Sequence, residues 1–160
     1  MRVCGVLIIG FCVSFIGFYI TSRLISKSNQ LRKIIRFIDF FEQKIKYSKE
    51  TVKSIIDLFV KDKDFSFLLS ESKVYDVDYF ERICFDNNAL YIDDEEKNLL
   101  YVFLCGLGKT NLDGQIAHCE IYKANFESAL EKYEQENRNK IKLYPSLFIL
   151  IGMLVVLIFF

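Results

Sequence analysis

Residues 111–160 read NLDGQIAHCEIYKANFESALEKYEQENRNKIKLYPSLFILIGMLVVLIFF, and this stretch decides the fold. Its first part carries apolar or aromatic side chains at Ile116, Cys119, Tyr122, Phe126, Ala129, Leu130 and Tyr133. Steps of three and four put them on one face of a helix. Glu134 with Arg138, and Glu136 with Lys140, are i,i+4 pairs in the favourable order on the other face. From Leu143 to Phe160 there is no charge. At 1.5 Å per residue this run reaches about 27 Å, enough to cross a bilayer core. An amphipathic helix is thus joined directly to a membrane span.

Working outward, a second uncharged run covers Val3 to Ser22. Arg2 and the apolar stretch behind it resemble a secretion signal. No small-x-small cleavage site follows, because Phe15-Ile16-Gly17-Phe18-Tyr19 is bulky. Cys12 follows Phe11, where a lipoprotein signal needs a small residue. The run therefore reads as an uncleaved anchor. The expected domains are an N-terminal transmembrane helix over 1–22, a helical domain over 23–142, and a C-terminal transmembrane helix over 143–160. Gly10, Ser14, Gly17 and Thr21 line one small-residue face of the first span. Such a face suits close packing in lipid, against the second span or another copy of the chain.

Positive charge sets the orientation. Arg23, Lys27, Arg32, Lys33 and Arg36 follow the first span; Lys123, Lys132, Arg138, Lys140 and Lys142 precede the second. Only Arg2 and the terminal amine lie beyond the spans, so the middle domain is expected in the cytoplasm. The 160 residues carry no net charge, but they divide unevenly. Residues 23–61 have a net charge of +6, residues 62–96 of −8, and residues 97–142 of +1. The basic third adjoins the membrane in sequence and suits anionic lipid; the acidic third is furthest from either span.

Within the middle domain the periodicity is helical throughout, and the fold class is all-α: a bundle of about five or six helices. Ser28 and Asn29 are candidate caps for a segment with Leu31, Ile34, Ile35, Ile38, Phe41 and Ile45 inward, part of a long helix to about Tyr47. A second helix has Val52, Ile55, Ile56, Phe59 and Val60 inward. Residues 61–64 are a polar break, and Phe65 to Ser70 is a short helical stretch. Asp78 to Cys84 reads as another short helix, and Asp86-Asn87-Asn88 as a loop. Lys73 to Asp78 is the best strand candidate and a weak one. Asp93-Asp94-Glu95-Glu96 has capping-box spacing. Gly106 and Gly108 stop the helix it starts, and Asn111 caps the next. Pro145 removes a backbone donor and should kink the last helix.

The chemistry-bearing residues are sparse. Gly106-Leu107-Gly108-Lys109-Thr110 resembles the end of a phosphate loop, but Phe103 stands where that loop needs glycine and a helix precedes it. His118 is the one histidine, and its neighbour Cys119 points elsewhere on a helix. None of the five cysteines has C-x-x-C spacing. No catalytic residue, cofactor or metal site is expected, and Arg32-Lys33-Arg36 is too short to argue for nucleic acid.

Gly17-Phe18-Tyr19, Gln30-Leu31-Arg32 and above all Leu107-Gly108, Asn111, Gln115 and His118 resemble the stage III sporulation protein AB family of endospore-forming bacteria. Its pattern is a Leu-Gly pair, an Asp or Asn three residues on, a Gln four further and often a His. The family often has a tryptophan in its fourth helix, where this chain has Tyr79 or Phe80, and residues 61–78 match loosely. The resemblance covers almost the whole chain. It implies a membrane component of the channel between mother cell and forespore, in the mother-cell membrane around the forespore. It also implies a domain similar to that of the platform protein of type II secretion. A companion secretion-type ATPase, stage III sporulation protein AA, would act on the cytoplasmic side with other channel subunits. In this reading the motif residues are structural, Gly108 and Asn111 turning the chain and Gln115 tying the loop. Asp93, Asp94, Glu95 and Glu96 are the candidate partner surface. A membrane-anchored enzyme or sensor, and a simple tether for one soluble partner, remain open from the residues alone.

Overall fold

In the computed structural model the backbone is described for residues 2–48, 51–60 and 75–159. The helices are α1 (Arg2–Ser48), α2 (Val52–Val60), α3 (Val77–Glu81), α4 (Asp94–Gly106) and α5 (Leu112–Phe159). A π-helical turn, Arg82–Asp86, follows α3 directly. Among the described residues there is no strand. The chain divides into two compact units: residues 1–28 with 132–160, and residues 29–131.

The first unit pairs the beginning of α1 with the end of α5, antiparallel. A Cβ at Gly17 would lie 2.4 Å from Phe148 Cβ, so only glycine allows this approach. Thr21 is buried beside it and donates its hydroxyl to Gly17 O at 2.9 Å. The side chains at Gly10 and Ser14 lie outside the described residues. Further along, Tyr133 donates to Leu24 O at 3.2 Å, and Lys27 Nζ lies 4.7 Å over the Tyr133 ring. The large apolar side chains turn outward: Phe11, Phe15, Phe18, Leu147, Leu150 and Leu157 are all exposed. Among the described residues, one helix, α5, is long and apolar enough to cross a membrane, and only 6% of its apolar window is buried.

The second unit has the opposite arrangement. Leu31, Ile34, Phe37, Ile38 and Phe41 of α1 are fully buried, as are Ile55 of α2, Leu100, Phe103 and Leu104 of α4, and Cys119 and Phe126 of α5. Phe103 is the meeting point. Its ring lies 6.2 Å from Phe37, 6.5 Å from Phe41, 5.4 Å from His118 and 5.6 Å from Tyr122. Phe59 adds α2 through edge contacts to Phe37 at 4.7 Å and Phe40 at 4.4 Å. Edge-to-face geometry sets the positive rim of one ring on the negative face of the next. Among the described residues every buried side-chain nitrogen or oxygen has a partner.

Several local expectations change. Ser28 and Asn29 cap nothing, because α1 runs unbroken from Arg2 and its backbone N–H groups already have helical partners. Ser28 donates instead to Glu134 Oε1 at 2.6 Å. The short helix begins earlier, at Val77, where Asp76 Oδ1 accepts the Tyr79 N–H at 2.9 Å. It then widens into the π-turn, so residues 77–78 are helical, not extended. Residues 73–74, the polar break at 61–64 and the stretch 65–70 lie outside the described residues. The α-helix of α5 continues through Pro145 to Phe159.

Burial pushes the thiols of Cys84 and Cys119 up to about 12. Each is raised above its unfolded value of about 8.5, so the folded chain keeps protons that the unfolded chain loses. Their contribution to stability is full below that value and is lost as pH rises towards 12. Both thiols should resist a small alkylating reagent at pH 8 until denaturant unfolds the protein, and the denaturation midpoint should fall between pH 9 and 11. Thiol mapping by mass spectrometry with melts at each pH checks both; rapid native alkylation of Cys119 would refute the burial.

Candidate functional site

The motif residues converge on the turn between α4 and α5. α4 ends at Gly106, Leu107 packs on the core, and Gly108 adopts φ 78°, a conformation that glycine enters without steric cost. A Cβ on Gly108 would also come within 3.3 Å of Val52 Cγ2 at the start of α2. Asn111 then opens α5: its Oδ1 accepts the Gly114 N–H at 3.1 Å. Gly114 is confined there, since a Cβ would meet Asn111 Oδ1 and Thr110 Cβ at 2.9 Å.

Gln115 closes this turn. Its Oε1 accepts the Gly108 N–H at 3.1 Å. Its Nε2 donates to Gly106 O at 3.3 Å and to Thr110 Oγ1 at 2.9 Å. One buried amide thereby satisfies backbone groups that the end of α4 leaves without helical partners. His118 lies one turn further on. Its Nε2 donates to Phe103 O at 3.0 Å, and its ring stacks on Phe103 at an interplanar angle of 10°. A Cβ on Gly106 would fall 2.4 Å from that imidazole, so Gly106 makes room for His118.

A second amide does the same at another loop. Gln30 of α1 donates to Ala89 O and accepts the Tyr91 N–H, each at 2.6 Å. This fixes the connection between the π-turn and α4, whose Leu90 and Ile92 plug into the core. The sequence reading gave Gln30 no role. Its signal was a polar side chain four residues before Ile34, on the stripe that should be apolar.

Asp93, Asp94, Glu95 and Glu96 sit at the other end of α4, about 20 Å from the glycine turn for a 13-residue helix. The Asp93 N–H donates to Glu96 Oε2 at 2.5 Å, and the two residues form a capping box. Asp94 pairs with Lys97 at 3.3 Å with its side chain 93% exposed; such a surface pair contributes little. Gly106 to Thr110 follows a helix, not the strand a phosphate loop requires. Among the described residues no group of His, Cys, Asp or Glu could hold a metal ion. The arrangement can cap, brace and present helices.

Three substitutions should rank by mechanism. Asn111→Ala removes a cap worth about 1 kcal/mol. Gln115→Leu should cost more, about 2 kcal/mol, by stranding the Gly108 N–H and Gly106 carbonyl. Gly108→Val, with a β-branched residue at positive φ facing Val52, should also exceed the cap loss. Chemical melts of the full chain in detergent, followed by circular dichroism, test the order; equal midpoints in all three would refute it.

Compared with known proteins, the chain matches the family model described as stage III sporulation protein AB over residues 2–160. No curated protein and no solved structure matches it. With the match extending through α1, the glutamine-braced turns and α5, the chain belongs to the stage III sporulation protein AB family.

Proposed function

We propose that this stage III sporulation protein is a non-enzymatic platform subunit of a secretion-like channel between mother cell and forespore. One observation carries the reading. The unit of residues 1–28 and 132–160 turns most of its large apolar side chains outward, whereas the unit of residues 29–131 packs a core of them inward. The first pattern suits lipid, where outward apolar surface costs nothing; the second suits water. Both helices of the first unit then act as spans, closely packed at Gly17 and Phe148. The basic residues flanking them hold the helical unit in the cytoplasm. There the acidic start of α4, Asp93 to Glu96, is the docking surface for the companion secretion-type ATPase. Exposed carboxylates at a helix start steer a basic partner face, an effect screened over about 8–10 Å by salt.

Two experiments test this. With the native accessible cysteines replaced, Asn87→Cys should stay unlabelled by a membrane-impermeant thiol reagent in intact cells, while a cysteine added after Phe160 is labelled. The opposite pattern would invert the topology. Separately, Asp94→Lys with Glu95→Lys spares the Asp93–Glu96 box and should weaken co-purification of the ATPase, most at low salt, with an unchanged melting temperature. Unchanged co-purification would remove this surface from the docking site.

A further inference from the structure

Apart from the acidic start of α4, the helical unit presents an aromatic patch on the outer side of the same helix. Tyr101 contacts Phe85 at 5.8 Å between ring centroids, and Phe85 and Val102 are each 43% exposed. The π-turn gives Phe85 this position, burying Ile83 and Cys84 while the next side chain points out. Asp78 and Glu81 of α3 lie nearby. The Tyr101 hydroxyl is held above its ordinary pKa first by its hydrogen bond to Cys105, then by burial, and also by Cys105, Glu81 and Asp78. Two cations share this neighbourhood: Arg82, its Nε donating to Asp78 O at 3.3 Å, and Lys97, one turn before Tyr101 on α4. An aromatic centre with a charged rim is the anatomy of a protein interface.

Two relations identify what fits it. Phe37 and Phe41 on the inner face of α1 meet Phe103 on the inner face of α4, so the outer faces of the two helices point away from each other. The outer face of α1 carries Arg32 and Arg36, one turn apart and both exposed. The faces also lie level. Gln30 holds Ala89 and Tyr91 just before α4, and Phe37 and Phe41 flank Phe103, so α4 runs alongside α1 in the same direction. Arg36 thus stands at about the height of Tyr101, on the opposite side of the unit. Copies sharing one orientation in a membrane differ by rotation about its normal and translation in its plane. A basic face on one side and an acid-rimmed aromatic face on the other are then complementary head to tail.

We infer that copies of this chain associate head to tail, with the Phe85–Tyr101–Val102 face of one copy against Arg32 and Arg36 of the next. Glu81 and Asp78 meet the guanidinium groups, and an arginine stacks on the exposed rings. The contact omits Asp93 to Glu96 and is separable from ATPase docking. It rests on the membrane reading only for the shared orientation.

The test uses the full chain in membranes, with Cys4, Cys12 and Cys105 replaced by serine. Arg32→Cys and Val102→Cys are made in separate chains, co-expressed and treated with a short bis-maleimide. A mixed adduct is expected, with little from either variant alone. Glu81→Arg in the Val102→Cys chain, or Arg36→Glu in the Arg32→Cys chain, should each lower the adduct roughly tenfold. Both reversals together should restore it, which a simple folding defect would not allow. An adduct between two Val102→Cys chains alone would mean a two-fold face and overturn the proposal. So would an adduct of Val102→Cys only with another protein, or no adduct from membrane-bound chains. Loss of the chain from the membrane fraction would remove the shared orientation, and with it both readings.

Discussion

The helical unit depends on one side chain being surrounded. Phe103 lies on α4, yet its ring is packed by Phe37 and Phe41 of α1 and by His118 and Tyr122 of α5. Three helices meet there because each offers an aromatic face at the right height. Fully burying a phenylalanine contributes about 1.5–3 kcal/mol. Here it also fixes the mutual level of α1, α4 and α5, which no single helix could set. The glycine at the end of α4 follows from the same demand. His118 can stack on Phe103 and reach its carbonyl because Gly106 has no Cβ to obstruct the imidazole.

Helices packed this closely leave their connections near the core, where unpaired backbone groups are costly. Two glutamines resolve that cost with the same chemistry. Gln115 holds the α4–α5 turn and Gln30 the loop before α4, each using both ends of its amide. Glutamine suits this role, since one planar group carries a donor and an acceptor and the side chain reaches across a helix-to-loop gap. The Lys123–Asp39 ion pair, at 2.6 Å, adds an α5-to-α1 link at the surface. That contact raises the Lys123 pKa, its hydrogen bond to Asp39 leading. Being partly exposed, it contributes less than the buried amides.

The unit of residues 1–28 and 132–160 solves a different problem. In the proposed membrane placement there is no hydrophobic drive between helices, so close approach and hydrogen bonds hold them together. Gly17 supplies the approach to Phe148. Thr21 bonds within its own helix, and Tyr133 and Ser28 bond across the pair. Lys27, 6% exposed, lays its ammonium over Tyr133, where an aromatic face offsets part of the cost of burying a charge.

The sequence by itself determined the all-helical class, the apolar stripes of α1, α2 and α5, the glycine stop after α4 and the uncharged C-terminal run. These are local properties, fixed by a period of 3.6 residues, by capping chemistry and by hydropathy. Tertiary structure decided what those signals leave open. Ser28 has the composition of a helix cap, but neighbours that continue the helix give it another partner. Gln30 looks like a surface amide until Ala89 and Tyr91, about sixty residues away in the chain, are brought to it. Gly106 reads as one of two stop residues, yet only His118 in place shows why no side chain fits. Phe85 is exposed because a π-turn, invisible in any periodicity, shifts the register by one residue. For Gln30 and Gly106 the deciding partner is distant along the chain, and only packing of the helices supplies it.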